Sequence, residues 1–344
     1  MLQAALPPSA QAGGVGYQVD LLSTALTRRG HDVTVFVVDE PPAGTLYRCL
    51  QVPGGQSRGR HIVGVAASFA RLDLSGFDAV HAHGDDWLLG RQRRLRTFYG
   101  SALMEARTAT RWSRRAAQTY YYGQEWISSF NPYATAISDR TRRCLPLVRR
   151  CVPCAYDPAA FFPGGERTRE PSILFVAGTM SGRKRGHVLL SAFAEVRRTM
   201  PDARLTVVSR DCVRGKGITS LSRLDAADLG RLYRSHWVFC SASSYEGFGV
   251  PYVEALASGL PVVTTPNHGA KEVLSHGVHG VFASPDDLGR QLVALINDRS
   301  RREALSASGI NAAAAYSVDV IAGRYEDLYR RLMAHSRTPP AVEG

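Results

Sequence analysis

Apolar residues along the chain fall into short unbroken runs separated by longer amphipathic stretches, the pattern of strands alternating with helices in an α/β protein. Residues 2–6 form the first apolar run, and Pro7 and Pro8 end it. Tyr17, Leu21, Leu22 and Leu26 then recur at helical spacing up to Gly30. Residues 33–38 are an unbroken β-branched and aromatic run, suited to a strand buried on both faces. A further strand is expected at 77–82, and another at 134–138 ahead of a basic helix. From Ser172 the alternation restarts. Strands are predicted at 172–177, 204–209, 237–239 and 261–265, and helices at 187–199, 225–234 and 251–257. Residues 288–297, 300–315 and 320–333 read as helical, whereas 84–150 carry the weakest pattern.

A chain of 344 residues is long enough for two domains, each with its own core. Phe162-Pro-Gly-Gly165 and Arg167 to Pro171 read as an exposed linker. No apolar run reaches the roughly 18 residues of a spanning helix. No basic region precedes an apolar core at the amino terminus, so a cytoplasmic location is the expectation. The six cysteines are scattered, and the close pair Cys151 and Cys154 lacks a second ligand pair, which points to reduced, structural thiols. Net charge is +12, and the excess lies mainly in the first 150 residues, which carry arginine but no lysine. That basic half could meet an anionic acceptor or the inner membrane face, or simply be a solvated surface. No recognisable nucleic-acid-binding motif accompanies the charge, so nucleic acid is not an expected partner.

The most informative stretch is 241–263, SASSYEGFGVPYVEALASGLPVV. A strand ends there, a glycine turn (Gly247, Gly249) follows, and a short helix leads into the next strand. Ligands of parallel α/β sheets bind outside the carboxyl ends of strands, where such turns sit. The free amides of Phe248, Gly249 and Val250 point toward any anion at the helix start. Glu246 lies in the turn and Glu254 in the helix, one placed for a sugar and the other for a ribose. Near the amino terminus, Gly13 and Gly14 let backbone amides approach a diphosphate. Val19 stands where a dinucleotide fingerprint needs its third glycine, which disfavours a nicotinamide dehydrogenase. His81 and His83 share one face of a strand, and His83 lies nearer its carboxyl end. A metal held by His81, His83, Asp85 and Asp86 lacks an identified third ligand, and no metal is expected.

The E-x(7)-E string with its E-G-F-G turn and the following E-A-L-A-S-G-L-P-V-V resembles the signature of retaining glycosyltransferases of the GT-B fold, family four (group 1). D-A-V-H-A-H at 78–83 is similar to the family's D-V-V-H-A-H, and Gly13-Gly14 to its G-G loop. Lys184, six residues after Gly178, has the spacing of the family's catalytic lysine. Many relatives carry an arginine directly after that glycine. Thr179 stands there here, and Arg183 is the candidate to supply the charge, as in relatives that read P-R-K. The loops at 152–157 and 267–272 depart from the family pattern.

Val152 to Asp157 occupies the place of the family's P-N-G-V-D at its domain junction, so the resemblance implies two Rossmann-like parallel-sheet domains facing a cleft, 1–157 for acceptor and 158–318 for a nucleoside-diphosphate sugar, UDP- or GDP-linked, with a final helix at 319–335 that crosses back to the first domain. It implies no required cofactor and transfer to a hydroxyl of a small molecule, glycan or lipid. His83, Arg183, Lys184 and Glu246 would be catalytic. Gly13, Gly14, Gly178, Thr179, Arg223, Leu224, Gly247, Phe248, Gly249, Val250 and Glu254 would bind donor, with the base held largely through backbone atoms. An idle partner subunit and a same-fold nucleotide-sugar epimerase are the alternatives.

Overall fold

In the computed structural model, which describes residues 1–7, 13–52, 63–89, 94–109, 111–145, 147–222 and 224–334, the chain divides into two units. The first comprises Met1–Ala155 and the segment from Val318 onward, and the second Tyr156–Ser317.

In the first unit, helix α1 (Gly13–Arg28) precedes strand β1 (Thr34–Val37), which pairs in parallel with β2 (Arg48–Gln51). Helix α2 (Val63–Ala70) then leads to a four-stranded parallel sheet, in the order β3 (Val80–Ala82), β4 (Arg94–Phe98), β5 (Ala134–Ala136) and β6 (Arg150–Cys151). Helices α3 (Ala102–Thr108) and α4 (Trp112–Ser128) follow β4, and α5 (Asp139–Cys144) follows β5. The strand expected at 2–6 is not a regular strand; it bridges the two sheets at a single residue. Leu2 pairs with both Phe36 and Ala82, its amide donating to the His81 carbonyl at 2.9 Å and its carbonyl accepting from His83 at 3.1 Å. The helix of the glycine stretch also starts earlier than its apolar spacing implies. Gly13 opens α1 in the left-handed region, at φ +53, a conformation glycine adopts without a Cβ penalty.

The second unit is a six-stranded, wholly parallel sheet. Its strands are β7 (Ser172–Val176), β8 (Arg204–Val208), β9 (Ile218–Leu221), β10 (Val238–Ser241), β11 (Val262–Thr264) and β12 (Val281–Phe282), arranged β12-β11-β10-β7-β8-β9. The connecting helices are α6 (Gly186–Thr199), α7 (Ala226–Ser235), α8 (Val250–Ala257), α9 (His268–Val273), α10 (Leu288–Asn297) and α11 (Arg299–Ala313). Every residue of β10 and β11 is buried, as expected where helices cover both faces of a sheet. Edge strand β9 has no counterpart in the sequence reading, because its four residues are half-exposed and mixed in polarity. The 267–272 loop is instead mostly helix α9, started by the Asn267 side chain accepting from the Ala270 amide.

From β7 the chain crosses to β8 and β9 on one side, then to β10, β11 and β12 on the other. The reversal of direction lies between β7 and β10, and the loops leaving these two strands diverge there.

The last helix, α12 (Val318–Ala334), belongs to the first unit. Val318, Ile321, Ala322, Tyr325, Leu328 and Leu332 recur at helical spacing and are all buried. They share a core with Val19, Leu22 and Leu26 of α1 and Val35 and Val37 of β1. At the rim, Arg29 donates to both oxygens of Glu326, at 2.8 and 2.7 Å. Ile321→Ala is expected to cost about 2–5 kcal/mol, read by urea denaturation. A loss well below this would mean that α12 is not part of the core.

Candidate active site

The two loops that leave the reversal point of the second sheet carry the strongest charge pair there. After β7, residues Gly182–Lys184 make a single 3-10 turn ahead of α6. After β10, the chain runs through Ser243 and Ser244 to Glu246. Lys184 Nζ donates to Glu246 Oε1 at 2.6 Å, and both side chains are largely shielded, 14% and 11% exposed. The Ser244 amide donates to the Arg183 carbonyl at 2.8 Å, which ties the two loops together through the backbone. The Arg183 guanidinium lies over the Tyr245 ring, 5.7 Å from its centroid. Lys184, Arg183 and Glu246 are therefore brought together.

Sequence reasoning missed the residue that holds this turn in place. Arg185 is left-handed at φ +49, a strained conformation for a residue with a Cβ. Its guanidinium donates to the Ala242 carbonyl at 2.7 Å and to Thr265 Oγ1 at 2.8 Å, clamping the turn to the ends of β10 and β11. Gly186 follows at a close backbone crossing, where a Cβ would lie 2.6 Å from the Met180 carbonyl oxygen. In sequence, Arg185 is one more member of a basic run, so nothing marked it.

Thr179 is oriented away from the role of a bare cation substitute. Its hydroxyl donates to Asp211 Oδ2 at 2.6 Å, and the Met180 amide donates to the same oxygen at 2.6 Å. The Gly178 carbonyl accepts from Arg210 Nε at 3.0 Å. The Gly178–Thr179 loop is thus fixed by Arg210 and Asp211, two residues the sequence did not single out.

The glycine turn after Glu246 enters α8 through Gly249, left-handed at φ +102. A Cβ there would lie 2.4 Å from the Tyr252 ring, so the position requires glycine. Gly247 is half-buried and Phe248 buried; at the start of α8 the Val250 amide has no acceptor within the helix, Pro251 has no amide hydrogen, and the Tyr252 amide donates to the Gly249 carbonyl at 2.9 Å. Leu224 is half-buried and Arg223 lies outside the described residues. Glu254 is buried on α8, and its Oε2 accepts from Tyr233 Oη at 2.9 Å. Burial pushes its carboxyl up to about 7, against which the tyrosine bond acts only partly.

In the first unit, His83 follows β3 and borders a cavity of about 410 Å³. Val15, from the first turn of α1, lines the same cavity, which brings the Gly13–Gly14 start of that helix and His83 to one region. The rings of His81 and His83 stack at 3.9 Å between centroids. His81 is fully engaged, with Nδ1 to Tyr329 Oη at 2.7 Å and Nε2 to Thr97 Oγ1 at 2.8 Å. It has no lone pair left for a metal shared with His83. Two tyrosines of α12 complete this network, since Tyr325 Oη also bonds Thr97 Oγ1 at 3.1 Å. His83 Nδ1 bonds Tyr99 Oη at 3.0 Å, while its Nε2 is buried without a partner. Burial holds the His83 ring well below the ordinary histidine range, with charge repulsion from its neighbours adding to the effect. A neutral ring offers a hydrogen bond and not a positive charge, which narrows the role expected from sequence.

The remaining walls are held by ion pairs and hydrogen bonds. Asp86 accepts from Arg94 Nε at 2.7 Å and Ser128 Oγ at 2.8 Å, with Arg96 Nε 3.4 Å away. Arg96 lies over the Phe98 ring at 4.7 Å. From α4, Glu125 accepts the Ala102 amide with both oxygens, at 3.0 and 3.2 Å, and caps the start of α3. Burial pushes Glu125 up to about 7. Helix α4 therefore contributes Tyr121 and Glu125 to the cavity.

The raised Glu254 carboxyl has a consequence for stability. Between the ordinary glutamate value of 4.5 and about 7, the unfolded chain releases this proton while the folded chain keeps it, so stability falls as pH rises through that window. Glu254→Gln, neutral in both states, is expected to remove about 3 kcal/mol of that fall. Urea unfolding of both proteins at pH 5, 6, 7 and 8 checks it, and parallel pH profiles would contradict the assignment.

Two family models match the chain: Glycosyltransferase Family 4 over residues 12–146 and Glycosyl transferases group 1 over residues 170–298. The glycogen synthase of Mycobacterium tuberculosis is 26% identical, over 82% of this chain and 81% of that protein. The mannosylfructose-phosphate synthase of Agrobacterium fabrum is 28% identical over 40% of this chain, and the match spans only 36% of that protein. Sucrose-phosphate synthase from Thermosynechococcus elongatus superposes with a TM-score of 0.81 at 19% identity, covering 97% of this chain and 98% of that one. Anabaena HepE, solved in complex with UDP-glucose, superposes with a TM-score of 0.70 at 14% identity, covering 96% and 98%. With both halves matched by the corresponding family models and the whole chain sharing this architecture, the protein belongs to the GT-B glycosyltransferases of family four.

Proposed function

We propose that the protein transfers a glycosyl unit from a nucleoside-diphosphate sugar to an acceptor hydroxyl, with retention of anomeric configuration and without a metal. The observation that carries this reading is the Lys184–Glu246 pair at 2.6 Å, set at the reversal point of a parallel sheet. A cation and a carboxylate held together at such a point suit a ligand that is anionic at one end and hydroxylated at the other. A UDP-sugar is the favoured donor, in keeping with the UDP-glucose bound by the neighbour HepE; a GDP-sugar is the other candidate.

In this reading Lys184 and Arg183 stabilise the departing diphosphate, helped by the Val250 amide at the start of α8. Glu246 accepts from the sugar hydroxyls, and Glu254 holds the ribose with its position set by Tyr233. The bond from the anomeric carbon to the diphosphate oxygen breaks as the acceptor oxygen adds on the same face. The acceptor proton leaves to a departing phosphate oxygen. Fixed protein cations take the electrostatic part that a divalent ion plays elsewhere.

A panel of UDP- and GDP-sugars, screened by melting shift and by product formation, identifies the donor. With that donor, Lys184→Ala is expected to lower kcat by about 10²–10³, and Glu246→Ala to abolish transfer, with far-UV circular dichroism unchanged. Turnover should also persist in excess chelator, and NMR of the product should show the donor's anomeric configuration. Near-normal turnover of either variant refutes the assignment.

A further inference from the structure

The cavity beside His83 holds an unusual concentration of unsatisfied polar atoms. Among the described residues, eight buried side-chain nitrogen and oxygen atoms have no hydrogen-bond partner. Six of these belong to residues that line this one cavity: His83 Nε2, Trp87 Nε1, Arg96 Nε and Nη1, Ser101 Oγ and Gln124 Nε2. Buried polar groups are almost always paired, and each exception calls for an explanation. A buried N–H left unmade is costly. Six in one hollow mark a place where a ligand supplies the missing partners.

The chemistry of the walls selects the ligand. Arg96 Nη1, Gln124 Nε2 and Trp87 Nε1 can only donate, and they call for acceptors. Arg96 and Gln124 are each 8% exposed, and His83 is 4% exposed. The Asp85 and Glu125 carboxylates line the same cavity and call for donors. Asp85 sits in the left-handed region at φ +50, a strained placement of the kind that persists at ligand sites. A phosphate or carboxylate ligand would satisfy the first set and be repelled by the second, and an ammonium ligand would do the reverse. A hydroxyl does both at once.

Charge leads to the same conclusion. Asp86 already accepts from Arg94 and Ser128 and lies 3.4 Å from Arg96 Nε. One arginine, Arg96, lines the cavity with four acids, Asp85, Asp86, Glu105 and Glu125, and no cationic excess remains to hold a phosphate. Trp87, Tyr99 and Tyr121 add ring faces of the kind that pack on a sugar. The volume of about 410 Å³ lies at the small end of ligand cavities, which run from about 300 to 1,000 Å³.

We propose that this cavity binds the acceptor as a neutral sugar ring or cyclic polyol, whose hydroxyls accept from Arg96 Nη1 and Gln124 Nε2 and donate to Asp85 and Glu125. This rests on the glycosyl-transfer reading and names the acceptor class for it. Arg96, Gln124, Asp85 and Glu125 are then specificity-determining residues.

The test is binding to the full chain by calorimetry, with and without UDP, so that it does not depend on turnover. Methyl α-glucoside and myo-inositol are the neutral probes; glucose 6-phosphate and glucosamine are the charged ones. At least one neutral probe is expected to bind at least tenfold more tightly than both charged probes. Its affinity should drop at least fivefold in Gln124→Leu and in Asp85→Asn, with melting temperatures checked in parallel. Tighter binding of glucose 6-phosphate or glucosamine overturns the proposal, as does the absence of binding by either neutral probe. Should a variant fail to fold, the selectivity of the wild-type protein decides alone. Loss of transfer with polyol binding intact would sink the catalytic reading and leave this one standing.

Discussion

The site of the second unit depends on one ion pair that has been placed where the fold cannot solvate it fully. Lys184 and Glu246 come from loops that leave adjacent strands in opposite directions, so neither loop alone could bring the charges together. Shielding the two groups carries a desolvation penalty that their mutual attraction only partly offsets. A fold selected for stability alone would put apolar side chains there. Retention of the pair makes sense when an anionic ligand shares Lys184 and hydroxyls share Glu246.

Holding the pair requires a scaffold that is itself strained. Arg185 takes a left-handed conformation so that its guanidinium can reach back to Ala242 and Thr265, and Gly186 and Gly249 leave no room for a Cβ against the Met180 carbonyl and the Tyr252 ring. The wholly buried strands β10 and β11 supply the rigidity against which this strain is held. Precision at Lys184 is thus a property of the sheet more than of the loop.

The first unit follows a different logic. Its cavity is bordered by a histidine kept neutral by burial, by an aspartate shared between two arginines, and by a glutamate that caps a helix. The carboxyl-terminal helix takes part from a distance. Tyr325 and Tyr329 occupy the hydrogen-bonding positions around His81 and Thr97, and the His81 ring in turn packs on His83. The last helix is therefore joined to the cavity through a buried polar network, besides the apolar face it shares with α1.

Much of this was legible in the chain before any coordinates. Strands buried on both faces write continuous apolar runs, so β1, β7, β8, β10 and β11 could be placed within a residue or two. The spacing from Gly178 to Lys184 and the Glu246–Glu254 string are local, and local patterns survive in sequence. Edge strand β9, the broken first strand and helix α9 were not legible, because their conformations are set by neighbours and caps and not by periodicity. Nor was the role of Arg185, nor the inward placement of Arg96, Gln124 and Glu125. Each is an ordinary polar residue until the backbone turns it inward, and whether a polar atom ends up paired or orphaned depends on distances between segments far apart in the chain. The order of residues is enough to give the alternation of elements, the family and the charged pair to look for. Which polar groups lose their water without gaining a partner follows from packing, because burial is a property of the packed chain and of no residue alone.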